Sequence, residues 1–205
     1  MNQLAQRRSM PPMAGNRHAV GHALPVQGRG HGLTLIEVLI GLALATILMV
    51  QAVPDLRGWL SGYRLSAQAS ALSQALAYAR SEAVTRSQRV TVCSSANPLA
   101  TAPRCNADAS WAAGWLVFVD NVQVAGNVAG SIDGDDTVLR IGEPLFAAQV
   151  SASSNLAAWL AFTPDGMALA SGGSGMGSFL ICQSAKGQRV TLNNLGRAAS
   201  EATRC

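Results

Sequence analysis

The run from Leu33 to Val53 constrains this chain more than any other stretch, because over 21 residues its only polar side chains are Thr34, Glu37, Thr46 and Gln51. About 20 apolar residues are enough for a helix to cross a bilayer, so the run predicts a transmembrane helix at 33–53. Ahead of it, residues 1–32 carry Arg7, Arg8, Arg17 and Arg29 and no acidic side chain. A basic flank of this kind retains an N-terminus in the cytoplasm. A secretory signal peptide shares the basic flank and the apolar run. Against that reading stand the length of the run, the lack of a small-residue cleavage site at its end, and an acid near its start. Residues 1–32, rich in Gly, Pro, Arg and His, read as a disordered leader, with Met10 or Met13 as alternative starts.

A chain of 205 residues allows one compact domain with some extra length, and 49% hydrophobic against 13% charged residues excludes a disordered protein. The net charge of +4 belongs to the leader alone, since the remainder balances 11 basic against 11 acidic side chains. The four cysteines, Cys93, Cys105, Cys182 and Cys205, all follow the apolar run. An even number on the exported side points to two disulfides in an oxidising compartment, the periplasm, rather than to four buried thiols. No CxxC spacing suggests zinc. Of the three connectivities, the expected one joins sequence neighbours, Cys93–Cys105 and Cys182–Cys205.

Beyond the apolar run, Leu65, Ala69, Leu72, Leu76, Ala79 and Ala83 recur at steps of three and four, which places them on one face of a helix reaching about Thr85. A helix unbroken from Leu33 would be roughly 80 Å long at about 1.5 Å per residue. Pro54 and the Gly58–Gly62 stretch predict a kink or a melted turn just outside the membrane. After Ser87 the period changes to two. Short runs at 89–93, 115–120, 137–141, 157–162, 178–182 and 189–192 read as strands. The turn signals between them are Asp133-Gly134, Asp165-Gly166, Lys186-Gly187 and Asn194-Leu195-Gly196, and 172–177 reads as a flexible Gly/Ser loop. One long helix feeding antiparallel strands makes an α+β domain.

Gly32-Leu33-Thr34-Leu35-Ile36-Glu37 resembles the recognition site of prepilin peptidase, differing only in Leu33, where Phe is commonest. Pro54 stands where pilin helices usually carry a proline. Further on, Arg64–Ala67, Ala79–Ala83, Arg89–Cys93, Gly114–Asp120, Phe162–Gly166 and Asn194–Arg197 together resemble the GspH/FimT family of minor pseudopilins and minor pilins, over about Gly32 to Cys205. The resemblance implies a pilin-like fold. It also implies cleavage between Gly32 and Leu33, N-methylation of Leu33, a helix kink at Pro54, and a role for Glu37 in filament assembly. The organisation expected is a cleaved leader at 1–32, a transmembrane helix at 33–53, its periplasmic continuation at 54–86, and a globular β-rich domain at 87–205. The implied partners are prepilin peptidase, other minor and major pilins or pseudopilins, and inner-membrane lipid.

A carboxylate one turn into an apolar helix is costly unless paired. The amino group freed at Leu33 by cleavage is the partner expected for Glu37, in the same or a neighbouring subunit. Asp133, Asp135 and Asp136 lack the spacing and the distant Glu of an EF-hand and read as an acidic turn. Trp115 reads as an inward-facing strand residue; Trp111 and Trp115 as a binding platform is the less favoured reading. The histidines, His18, His22 and His31, all lie in the leader, which leaves the processed chain without imidazole for nucleophile activation or metal binding. An enzyme is therefore not expected, nor is a metal or a cofactor.

A second function class is DNA capture in natural transformation, through Lys186, Arg189, Arg197 and Arg204. Such basic residues neutralise phosphates and give steeply salt-dependent affinity. DNA receptors of the resembled family carry Gly-Arg-x-Arg near the C-terminus. Here the stretch reads Gly196-Arg197-Ala198-Ala199, so the second arginine is missing and DNA binding is expected to be weak.

Overall fold

A computed structural model describes residues 32–205, and at 51–57 the backbone alone. The leader therefore lies outside the described residues, apart from Gly32. The chain divides into two compact units, Met1–Thr46 and Ile47–Cys205. One helix, α1 (Leu35–Arg86), contributes to both.

In the first unit Thr34 caps α1, its hydroxyl and carbonyl oxygens accepting from the Glu37 N–H at 3.3 and 3.1 Å. All large apolar side chains of this segment stand exposed, from Leu33 at 75% through Ile36, Leu39 and Leu42. Among the described residues no helix is long and apolar enough to cross a membrane. The apolar run continues through Gln51–Val53, whose side chains lie outside the described residues.

In the second unit α1 presents the face that the spacing predicts: Leu65, Ala69, Leu72, Leu76, Ala79 and Ala83 are all buried. Burying each leucine is worth about 1.5–3 kcal/mol. The helix stops through a capping turn in which Ser87 takes a left-handed φ of 53°, the Ser87 N–H meets Val84 O and the Gln88 N–H meets Ala83 O. Ten strands follow: β1 (Val90–Ser94), β2 (Trp115–Val119), β3 (Thr137–Gly142), β4 (Gln149–Ala152), β5 (Trp159–Phe162), β6 (Ala168–Ala170), β7 (Gly173–Ser174), β8 (Gly177–Gln183), β9 (Lys186–Leu192) and β10 (Ala198–Arg204).

They form a six-stranded sheet A, ordered β3-β2-β1-β5-β6-β7, and a four-stranded sheet B, ordered β10-β9-β8-β4. All pairings within the two sheets are antiparallel. Val92, Val117, Leu160 and Phe162 of sheet A and Phe179, Ile181, Val190 and Leu192 of sheet B close one core on the helix. Cys93, Leu116 and Phe118 form a second cluster with Cys105 and Trp159, so β1 and β2 are buried on both sides. Both expected disulfides are formed, Cys93–Cys105 and Cys182–Cys205.

Three expectations are corrected. Of the kink or melted turn expected near Pro54 and Gly58–Gly62, the melted turn is absent, because α1 is helical without interruption from Leu35 to Arg86. In this stretch Lys186 Nζ donates to Gly58 O at 2.7 Å. The turn expected at Lys186-Gly187 lies two residues earlier, at Ser184-Ala185, where Ser184 takes the left-handed conformation, φ 56°. Gly172–Gly177 is not simply a loop, since Gly173–Ser174 pair with β6 and Gly177 begins β8. A Cβ on Gly175 would come within 2.3 Å of the Ala168 backbone, so this glycine allows two chain segments to touch.

Candidate functional site

At the head of α1, Glu37 is exposed and occupies the third helical position, where a carboxylate favours the positive end of the helix. Thr34-Leu35-Ile36-Glu37 has the sequence pattern of a capping box, of which the structure shows the Thr34 half, its hydroxyl accepting from the Glu37 N–H at 3.3 Å. Gly32 and Leu33 precede the helix and are exposed.

In the second unit, three motifs that are far apart in sequence meet at Arg80. Its Nε donates to Gly166 O at 3.0 Å, across 86 residues. Gly166 and Gly196 both take positive φ, 78° and 71°. A Cβ on Gly196 would sit 2.5 Å from Gly166 O and 2.9 Å from Arg80 Cδ. The Ala168 N–H donates to Asn194 O at 3.0 Å and ties the two turns together. Beside them, the Thr163 hydroxyl donates to Asp165 and holds that exposed carboxyl below its ordinary value. The Ala79–Ala83, Phe162–Gly166 and Asn194–Arg197 stretches are thus one structural junction. Sequence spacing gives no sign of this convergence.

Another motif ends in a buried ion pair. Asp120 is 2% exposed, and its Oδ2 accepts from the Thr91 hydroxyl at 2.6 Å and the Gly130 N–H at 3.0 Å. It also lies 3.1 Å from Arg89 Nε. The Arg89 guanidinium stands over the Trp159 ring, 4.8 Å from its centroid. An acid closing one apolar strand and a base opening its neighbour are the sequence signals for such a pair.

The acidic turn is structural. Asp133 Oδ2 accepts from the Val128 N–H at 2.6 Å, and Asp136 takes the Asn121 and Asp133 N–H groups at 2.9 and 3.0 Å. Asp135 contributes its carbonyl, at 3.1 Å from Asn121 Nδ2. Among the described residues no group of three or more acid, His or Cys side chains is placed to hold a metal. Trp115 is buried, as expected, and so is Trp111, whose Nε1 donates to Ala157 O at 2.9 Å.

The four C-terminal basic residues are not brought together. Arg189 lies opposite Glu201 in the β9–β10 ladder, and Lys186 lies opposite Arg204. Strand alternation puts Arg189 on one face and Lys186 and Arg204 on the other. Arg197 sits in the turn at the far end of the hairpin, its N–H on Asn193 Oδ1 at 2.9 Å.

A family model described as the type II transport protein GspH matches residues 68–196, more than half of the chain. No curated protein matches in sequence. Among solved structures, the type IV minor pilin FimU of Pseudomonas aeruginosa strain PAO1 aligns at 22% identity and a TM-score of 0.48, covering 70% of this chain and 92% of that one. The minor pseudopilin EpsH from the Type 2 Secretion System of Vibrio cholerae aligns at 14% identity and a TM-score of 0.40, covering 69% and 97%.

Proposed function

Because this chain belongs to the family of the type II transport protein GspH, we propose that it is a non-enzymatic minor pilin or pseudopilin that helps initiate a type II secretion pseudopilus or a type IV pilus near its tip. The precursor is cut by prepilin peptidase after Gly32 and N-methylated on Leu33. The segment 33–53 holds it in the inner membrane, with the second unit in the periplasm, until it enters the filament beside other pilins.

One observation carries this reading. From Leu33 to Val50 the large apolar side chains of the chain stand in solvent, between 46% and 79% exposed. Water does not tolerate so long an apolar surface, whereas lipid or the helices of neighbouring subunits would cover it. Glu37 is the one carboxylate within it, and the amino group released at Leu33 is its natural partner. The intact mass of membrane-extracted protein tests the proposal. A chain beginning at Leu33 and heavier by one methyl group is expected. A chain that retains residues 1–32, or one cut after Val53, would remove the pilin reading.

A further inference from the structure

Each sheet ends in two edges: β3 and β7 in sheet A, β10 and β4 in sheet B. Strands β7 and β4 have two and four residues, and short edges offer little to pair with. Strands β3 and β10 have six and seven residues. Among the described residues no hydrogen bond reaches the outer edge of either. An unpaired edge of this length is a template for another strand.

There is also room at β3. On its helix side a groove of about 420 Å³ separates Arg140–Gly142 from Ala67, Gln68, Ala71 and Ala75 of α1. A second cavity of about 620 Å³, sharing Arg140 and Ile141 with the groove, lies between Val138–Ile141 and Ala100, Thr101 and Pro103 of the Cys93–Cys105 loop. Strand β10 is the complementary element. None of its seven residues is buried, and all but Glu201 and Arg204 have small side chains. Among the described residues neither Glu201 nor Arg140 has a salt-bridge partner, although Arg140 stands 5.7 Å from the Tyr78 ring centroid.

We propose that β10 of a second copy of this chain adds antiparallel to β3, with Glu201 opposite Arg140. That register sets Ser200 against Ile141 and Ala199 against Gly142, and it ends at Arg140, because Leu139 is a bulged residue with no partner in β2. Directly opposed residues share a face of the sheet. Arg140, Ile141 and Gly142 all line the groove, and Glu201 and Ala199 meet it on the face that Arg140 presents. The contact joins two different edges, so it is head-to-tail and leaves one β10 and one β3 free to continue.

The test uses the full chain in detergent micelles. Ile141→Cys and Ser200→Cys in one chain, under mild oxidation, are expected to give a ladder of dimers, trimers and longer species. Mixing the two single variants is expected to stop at dimers. Ser151→Cys with Ser200→Cys, which uses the β4 edge, reports association driven by the apolar helix alone. A ladder from that control as strong as from Ile141→Cys, or no ladder from the first pair, would overturn the proposal. Arg140→Glu is expected to cut the ladder at least tenfold, and adding Glu201→Arg to restore it; loss without restoration also overturns it. Both substitutions are at exposed positions, and mass mapping of the two native disulfides confirms that each variant has folded.

Discussion

Asp120 and Arg89 are withdrawn from most of their water, and the hydrogen bonds from Thr91 and Gly130 repay part of that loss. Replacing such a pair by well-packed apolar groups can be neutral, but removing one member strands the other. Asp120→Ala is therefore expected to destabilise the second unit by about 3–5 kcal/mol. A lower denaturant midpoint at unchanged slope is the signature; a shift below about 1 kcal/mol, the range of an exposed pair, would show the bridge to be a surface one. The glycines at the Arg80 junction belong to the same scale. Gly166 and Gly196 both take left-handed backbone, so a Cβ at either is strained, and at Gly196 it would also clash with Gly166 O. Glu37 belongs here too. Its place in the sequence suggested the Leu33 amino group, of the same or a neighbouring subunit, as its charge partner, and the folded chain adds a position in the first turn of the helix.

At the scale of elements, the helix face was legible because the 3.6-residue period of Leu65 to Ala83 has few rival explanations. The strands with apolar runs were legible too. Those missed, β4, β6, β7 and β10, are short or built of Ala, Ser, Gly and Thr, residues whose pattern carries no hydrophobic alternation to read. They exist through pairing with neighbours, which a local sequence window does not see. Strand β10 is the extreme case: without a buried residue, it rests on its ladder to β9 and on Cys182–Cys205. Closing a loop of this size stabilises by about 3 kcal/mol on the chain-entropy estimate, which is about a hundredfold in an opening equilibrium. In a Cys182→Ser, Cys205→Ser variant, amide exchange in Ala198–Arg204 should accelerate by about that factor while β1 and β2 stay slow. Uniform acceleration across both sheets would mean that β10 does not open separately.

For the whole molecule, charge placement matters more than net charge. Residues 1–32 hold the entire excess, and the C-terminal basic residues are divided between two faces and a distant turn, with Lys186 tied to the helix backbone. A site of one or two phosphates is all they offer, so a gel-shift titration of the detergent-solubilised chain should find no tight DNA binding at physiological salt. Salt-sensitive micromolar binding that Arg197→Ala abolishes would move the function toward DNA uptake. The candidates at the head of α1 come from one contiguous motif, which a sequence displays directly. The junction at Arg80 was not legible, because its partners lie in turns far along the chain. That distance also governs time. The bond from Arg80 to Gly166 closes 86 residues and that from Lys186 to Gly58 closes 128. Ordering loops of this size precedes any gain from the contacts they bring, which slows folding. The helix of the second unit accordingly waits for the last quarter of the chain before its setting is final, and a polypeptide made stepwise from its N-terminus stays open to proteases and mispairing until then.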